Sequence, residues 1–285
     1  MTTRTRARWA RLALAFCGVA TTVATAAAAE TPLERGRYLV QSIVACGNCH
    51  TPQGPAGPLP GKELAGGMDF IEPGIKAYAS NITPDRETGI GRWTDAQLIS
   101  AIREGRLPNG KLIGPIMPIG LYRGISDVDV KAIVAYLRSV PAVKNKVLRS
   151  EYKIPLPPNY GPPVGKVAEP PRSDKVAWGR YLAGPLGHCI ECHSTPVPNG
   201  GPDLVNALGA GGMKFPGPWG ESVAPNITPS NLARYSDAEL KKIITTGVRP
   251  DGSRLKPPMG VSYYAKMSAA DLDALVAYLR SLPRK

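Results

Sequence analysis

The chain has 285 residues, 43% hydrophobic and 20% charged, with 35 basic and 22 acidic side chains and a formal net charge of +13. This suits a globular protein of one or two domains. The basic excess is spread along the chain and forms no dense run, which argues against nucleic-acid binding and leaves attraction to an acidic partner or to anionic headgroups open. Glycine (31) and proline (30) are both abundant, which points to long ordered loops more than to continuous helices or sheets.

Residues 1–29 read as a secretory signal. Arg4, Arg6, Arg8 and Arg11 form a positive n-region, Leu12 to about Ala28 is apolar, and Ala27-Ala28-Ala29 before Glu30 offers a small-residue cleavage site. Cys17 follows the bulky Phe16, unlike a lipoprotein signal, and is expected to leave with the peptide, as are four arginines and no acid. No later stretch is long and apolar enough to span a membrane. The other four of the five cysteines fall in two short motifs, so none remains for a disulfide or a reactive thiol.

Those motifs are Cys46-Gly47-Asn48-Cys49-His50 and Cys189-Ile190-Glu191-Cys192-His193. Two thiols three positions apart can reach the two vinyl groups of one porphyrin, and the histidine that follows lies under the ring with a nitrogen for the iron. A redox dithiol would not need the histidine. A zinc site built from both copies would leave ligands over and the rest of the repeat unexplained. The motifs therefore predict two covalently bound haem c groups, with Cys46, Cys49, Cys189 and Cys192 as attachment points and His50 and His193 as proximal ligands.

The rest of the chain is also written twice. Residues 34–141 and 177–283 align: Gly36-Arg37-Tyr38-Leu39 with Gly179-Arg180-Tyr181-Leu182, Gly66-Gly67-Met68 with Gly211-Gly212-Met213, and Asn81-Ile82-Thr83-Pro84 with Asn226-Ile227-Thr228-Pro229. The repeat closes on Ala135-Tyr136-Leu137-Arg138-Ser139 and Ala277-Tyr278-Leu279-Arg280-Ser281. The predicted organisation is a cytochrome c domain over 30–143, a Pro-rich connector over 144–174 and a second cytochrome c domain over 175–285, mainly α. Each domain is a few helices around one haem with long Pro/Gly-rich loops.

In each copy a first helix (near Leu33–Ile43 and Lys175–Ala183) leads into the haem motif. A Pro/Gly-rich stretch follows, from Thr51 to about Ile90 in the first copy. Thr94-Asp95 then opens a helix through Ile102, with Gly105 as its stop; Ser236-Asp237 and Gly247 repeat the pattern. A last helix runs from Ser126-Asp127 to Ser139 with Val130, Ile133, Val134 and Leu137 on one face. Ser268–Ser281 repeats it with Leu272, Leu275, Val276 and Leu279. The seven prolines of residues 144–174 predict a stiff extended connector.

Three histidines serve at most one bis-histidine haem, so the second axial ligand is sought among the methionines. Met267 aligns with Ile125 and reads as packing. Met117 and Met259 lie in proline-bearing loops, 67 and 66 residues after their histidines, and are the candidate ligands. Met68 and Met213 read as packing against the haem or core. Arg92-Trp93 and Arg234-Tyr235 are candidate propionate contacts, and His188 reads as structural.

With these residues the chain resembles diheme c-type cytochromes, and among them the cytochrome subunits of periplasm-facing, membrane-bound dehydrogenases that act on alcohols, sugar acids or similar substrates. The haem motifs, the Asn-Ile-Thr-Pro segments, the loops of Met117 and Met259 and the closing helices carry the likeness. Many such subunits have three haem motifs and a C-terminal membrane-binding segment; this sequence has two motifs and ends at Lys285 after a helix. The resemblance implies a periplasmic electron-transfer protein, not itself an enzyme. Its donor would be a periplasmic or membrane-bound dehydrogenase, and its acceptor a quinone, a small cytochrome or a terminal oxidase. A freely diffusing carrier and a peroxidase-like diheme enzyme are the alternatives.

Overall fold

The computed structural model describes residues 1–2, 30–55, 57–198, 201–217 and 219–285; the body of the expected signal, residues 3–29, lies outside them. Helix α1 (Pro32–Gln41) opens on a capping box in which Thr31 and Glu34 each bond the other's backbone N–H. It stops short of the expected Ile43 because Ser42 leaves helical geometry (φ −124°, ψ −102°). Ala45 then turns left-handed (φ 51°) to deliver α2 (Cys46–His50), the first motif.

The following Pro/Gly-rich stretch, expected as loop, contains two small antiparallel hairpins: β1 (Gln53–Gly54) with β2 (Gly57–Pro58), and β3 (Asp69–Glu72) with β4 (Ile75–Tyr78). Helix α3 (Asp95–Glu104) has a Thr94–Gln97 capping box and ends at Gly105, φ 65°. The short α4 (Ile119–Tyr122) follows Met117, and α5 (Asp127–Ser139) is capped by Ser126.

Residues 144–174 contain no helix and run along the first half. There β5 (Glu151–Tyr152) adds to the edge of β4, Tyr160 donates to the Ile113 carbonyl (2.7 Å), and the Val167 carbonyl accepts from the Asp127 N–H (2.9 Å).

The second half begins with α6 (Lys175–Tyr181), capped by Asp174. The helix expected to run to Ala183 instead widens into a π-helical turn over Leu182–Leu186 that contains Pro185, which has no N–H to donate to an α-helical ladder. His188 is left-handed (φ 40°), like Ala45, and leads into α7 (Cys189–Cys192). A hairpin of β6 (Lys214–Gly217) and β7 (Gly220–Val223) follows. Helices α8 (Pro229–Leu232), α9 (Asp237–Thr246), α10 (Val261–Tyr264) and α11 (Ala269–Ser281) complete the chain. Among the described residues no helix is long and apolar enough to cross a membrane.

The core is built where α1 crosses α5 and α6 crosses α11. A Cβ on Gly36 would lie 1.9 Å from the Ala132 carbonyl oxygen, and one on Gly179 would lie 1.9 Å from that of Ala274. Only glycine permits this approach, which lets Leu39 and Leu182 bury fully beside Val134 and Val276. The apolar faces expected on α5 and α11 are buried, and Met267 and Ile125 both sit in the core.

Residues 31–285 form one compact unit, and the ties between its halves are reciprocal. Tyr38 on α1 donates to Asp271 of α11 (2.6 Å) and accepts from the Ser268 N–H (3.0 Å). Tyr181 on α6 donates to Asp129 of α5 (2.8 Å) and accepts from the Ser126 N–H (2.9 Å). Asp129 is fully buried and paired with Arg35 at 2.8 Å. Asp271 has the Trp178 indole N–H (2.6 Å) in the place of that guanidinium.

Candidate functional site

Each motif is held by the same set of local bonds. The Gly66 N–H reaches the His50 carbonyl (2.7 Å) and the Gly211 N–H that of His193 (2.8 Å). Both glycines are left-handed (φ 75° and 77°) and lie against the backbone of the segment that supports the imidazole. That segment ends in Ser80, whose carbonyl is 2.7 Å from His50 Nδ1, and in Pro225, whose carbonyl is 2.8 Å from His193 Nδ1. A carbonyl only accepts, so Nδ1 carries the proton in both rings and Nε2 is left with its lone pair, the state an iron ligand needs. Burial lowers the pKa of both histidines, and the hydrogen bond to the carbonyl opposes part of that shift.

The repeated Asn-Ile-Thr-Pro segments position those carbonyls. Asn81 Oδ1 accepts from the Thr83 N–H and hydroxyl (3.0 and 2.7 Å), and its Nδ2 donates to the Val143 carbonyl (2.8 Å). Asn226 does the same with Thr228 (2.7 and 2.8 Å) and the Lys285 carbonyl (2.9 Å). Each asparagine directly follows the residue that holds the histidine and ties it to the chain leaving the last helix. The repetition of this tetrapeptide signalled a shared role; the sequence did not show that the role was to orient an imidazole.

Both motifs line one cavity of about 2710 Å³, whose wall also includes Met68, Met117, Met213, Met259, Trp93, Arg234 and Tyr235. Arg92, expected beside Trp93 as a propionate contact, is exposed and absent from that wall. The difference from Arg234 is local. Arg234 follows α8, where Asn231 accepts its hydrogen bond and Tyr235 lies under its guanidinium at 5.1 Å. The equivalent stretch of the first half closes as a turn on Asp85, whose carboxylate takes the Thr88 N–H (2.7 Å). Trp93 and Tyr235 are held from the last helices, by Arg138 and Arg280 bonding their carbonyls.

The four motif cysteines are free, half-buried thiols. Burial pushes Cys46 and Cys192 up to about 12 and Cys49 and Cys189 to about 11. Such raised values are the opposite of the depressed ones of a reactive redox dithiol. The carboxylate of Glu191 in the second motif adds to the rise at Cys49 of the first, so the motifs lie within electrostatic reach of each other. His188 is half-buried, 3.4 Å from Glu191 and edge-on to Tyr122 at 6.1 Å. The ligating atoms of His188, Glu191 and Cys192 all lie within 4.8 Å of one another.

Paired attachment cysteines, histidines with a free Nε2 and an apolar-walled cavity are the parts of a c-type cytochrome, and the chain resembles the cytochrome c subunits of dehydrogenases. No protein-family model matches it. It is 34% identical over 263 residues to a nicotinate dehydrogenase subunit of Pseudomonas putida (88% of this chain, 21% of that protein). It is 32% identical over 285 positions to the fructose dehydrogenase cytochrome subunit of Gluconobacter japonicus (92% of this chain, 55% of that protein). A protein named diheme cytochrome c-type from Cereibacter sphaeroides is 28% identical over 250 residues (84% of this chain, 82% of that protein). The chain thus spans about a fifth of the first relative and about half of the second.

Proposed function

We propose that this is a diheme c-type cytochrome that carries electrons away from a dehydrogenase, with one haem c in each half and no substrate chemistry of its own. The observation that carries the reading is the doubled histidine geometry: each motif imidazole has Nδ1 committed to a backbone carbonyl and Nε2 free, on the wall of a cavity that also holds both attachment pairs. Bound haem would supply a one-electron Fe(III)/Fe(II) couple. Cys46, Cys49, Cys189 and Cys192 would anchor it. Leu98, Leu137, Leu240 and Leu279 on the cavity wall keep water from the site. With Cys192 committed to the porphyrin, His188 and Glu191 would remain as a side-chain pair 3.4 Å apart and not as half of a metal site.

In this reading Met117 and Met259 would supply the second ligand of each iron. Met68 is built into the segment that holds His50: its carbonyl accepts from the Ala79 N–H (2.8 Å), one residue before Ser80. Met213 has the same place beside His193, through the Ala224 N–H (2.8 Å) and Pro225. Met68 and Met213 are therefore read as packing beside the histidine segments, whereas Met117 and Met259 come from separate loops packed on the core. Two filled axial positions favour electron transfer over peroxide chemistry. The relatives named as dehydrogenase cytochrome subunits support a dehydrogenase as donor, with a quinone, a small cytochrome or an oxidase as acceptor. An exported chain of this kind would work in the periplasm.

The deciding experiment is co-expression with a cytochrome c maturation system, followed by a pyridine haemochrome assay on the denatured chain. Two covalent haems per chain are expected, and one in the Cys46→Ala/Cys49→Ala variant. No covalent haem, or a single haem in the unmutated chain, overturns the proposal. Affinity purification from the native host would then be expected to bring down a dehydrogenase subunit.

A further inference from the structure

Five residues after each loop methionine stands a tyrosine, Tyr122 at the end of α4 and Tyr264 at the end of α10. They are only 7% and 8% exposed, both lie on the wall of the shared cavity, and neither hydroxyl bonds any described residue. Buried phenols ordinarily have a partner. Among the described residues the one sealed, unpartnered side-chain polar atom is Arg103 Nε, so each phenol oxygen keeps some accessible surface, on a residue that lines the cavity. Two equivalent phenols, without a protein partner among the described residues, thus stand on the wall of a space the polypeptide itself does not fill.

Their surroundings place them between the two motifs. Tyr122 packs edge-on against His188, the residue before Cys189, at 6.1 Å and 78°. Its neighbour Gly124 lies against Pro185, where an added Cβ would be 2.8 Å from the proline ring. On the other side, Tyr263, next to Tyr264, has its hydroxyl 2.4 Å from where a Cβ on Gly47 of the first motif would lie, and Asn48 donates to the Pro258 carbonyl (3.3 Å). Thus Tyr122 of the first half packs beside the start of the second motif, and the Met259 loop of the second half bonds the first. Burial, with smaller contributions from the motif thiols, raises both phenols well above their ordinary value, so both remain O–H donors through the physiological range.

We propose that Tyr122 and Tyr264 form a redox-tuning pair shared by the two haem sites, with O–H dipoles that favour the reduced state of both haems together. The proposal rests on the diheme reading above. No proton moves and no tyrosine is oxidised. Each iron takes up one electron, and the positive end of each fixed dipole favours the added negative charge, which raises the midpoint potential.

The test uses the matured full chain and its Tyr122→Phe, Tyr264→Phe and double variants, which remove only the hydroxyls. Haem per chain is measured first; fewer than two in the unmutated protein would overturn the diheme reading, and this pair with it. With two haems present, a spectroelectrochemical titration resolves two one-electron steps. Each single variant is expected to move both steps to lower potential, and the double variant to move them further. Unchanged potentials, or a single variant that moves one step alone, would overturn the shared pair. If a variant loses haem, reduced-minus-oxidised infrared spectra of ring-deuterated-tyrosine wild type give the same answer. Tyrosine bands that shift on haem reduction support the pair, and silent ones overturn it.

Discussion

At the residue scale, each motif imidazole is oriented by one backbone carbonyl, and that carbonyl is oriented by the asparagine after it. The chain thereby makes Nδ1 the protonated nitrogen of each ring and leaves Nε2 with its lone pair. The distal side offers a sharper test. Replacing Met117 by histidine exchanges a thioether for an imidazole and is expected to lower the potential of one haem while leaving the other step nearly in place. The same change at Met68, read as packing, should leave both potentials and the visible spectrum close to wild type. Redox titration of the two variants checks this, and the reverse pattern would reassign the ligand.

At the element scale, the two helix crossings have no slack. A methyl group on Gly36 would meet the Ala132 carbonyl, a backbone atom that cannot swing aside. Gly36→Ala is expected to separate α1 from α5 at an overpacking cost of about 1–3 kcal/mol or more, read as a lower urea midpoint and poorer haem retention. Gly179→Ala should do the same to α6 and α11. The helix starts carry a pH dependence. Hydrogen bonds to the capping hydroxyls and backbone hold Glu34 and Glu239 below the ordinary carboxylate value of 4.5. A depressed acid contributes stability that is complete above its unfolded value and disappears as pH falls through its folded value. The first turns of α1 and α9 are therefore expected to lose amide-exchange protection below about pH 4.5, before the helix centres do. Protection that persists equally in both places would remove the capping boxes from that account.

At the scale of the whole molecule, the reciprocal ties of Tyr38 and Tyr181 make the two halves one folding unit. Each hydroxyl donates to a buried aspartate and accepts a helix N-terminal N–H across the interface. Replacing either tyrosine by phenylalanine leaves those groups short of a partner, at about 1–3 kcal/mol each. The double variant is expected to turn a single urea transition, followed by far-UV circular dichroism and haem absorbance together, into two. A single sharp transition in the double variant would show that apolar contact alone couples the halves.

The residue order was sufficient for the motifs, the caps and stops of α3 and α9, and the buried faces of α5 and α11. Each of these depends on neighbours a few positions apart, so spacing and side-chain type carry the information. The hairpins after each motif were hidden by their prolines and glycines. The π-helical turn at Pro185 was hidden because an apolar run reads the same in either helical form. The exposure of Arg92 was hidden because its place in the repeat says nothing of Asn231 or of the turn on Asp85. The Ser80 and Pro225 carbonyls and the cavity wall shared by Tyr122 and Tyr264 join residues some thirty to more than a hundred positions apart. They come from backbone atoms and cross-half packing, which have no side-chain signature to read, and they exist only once the two helix crossings have closed around one cavity.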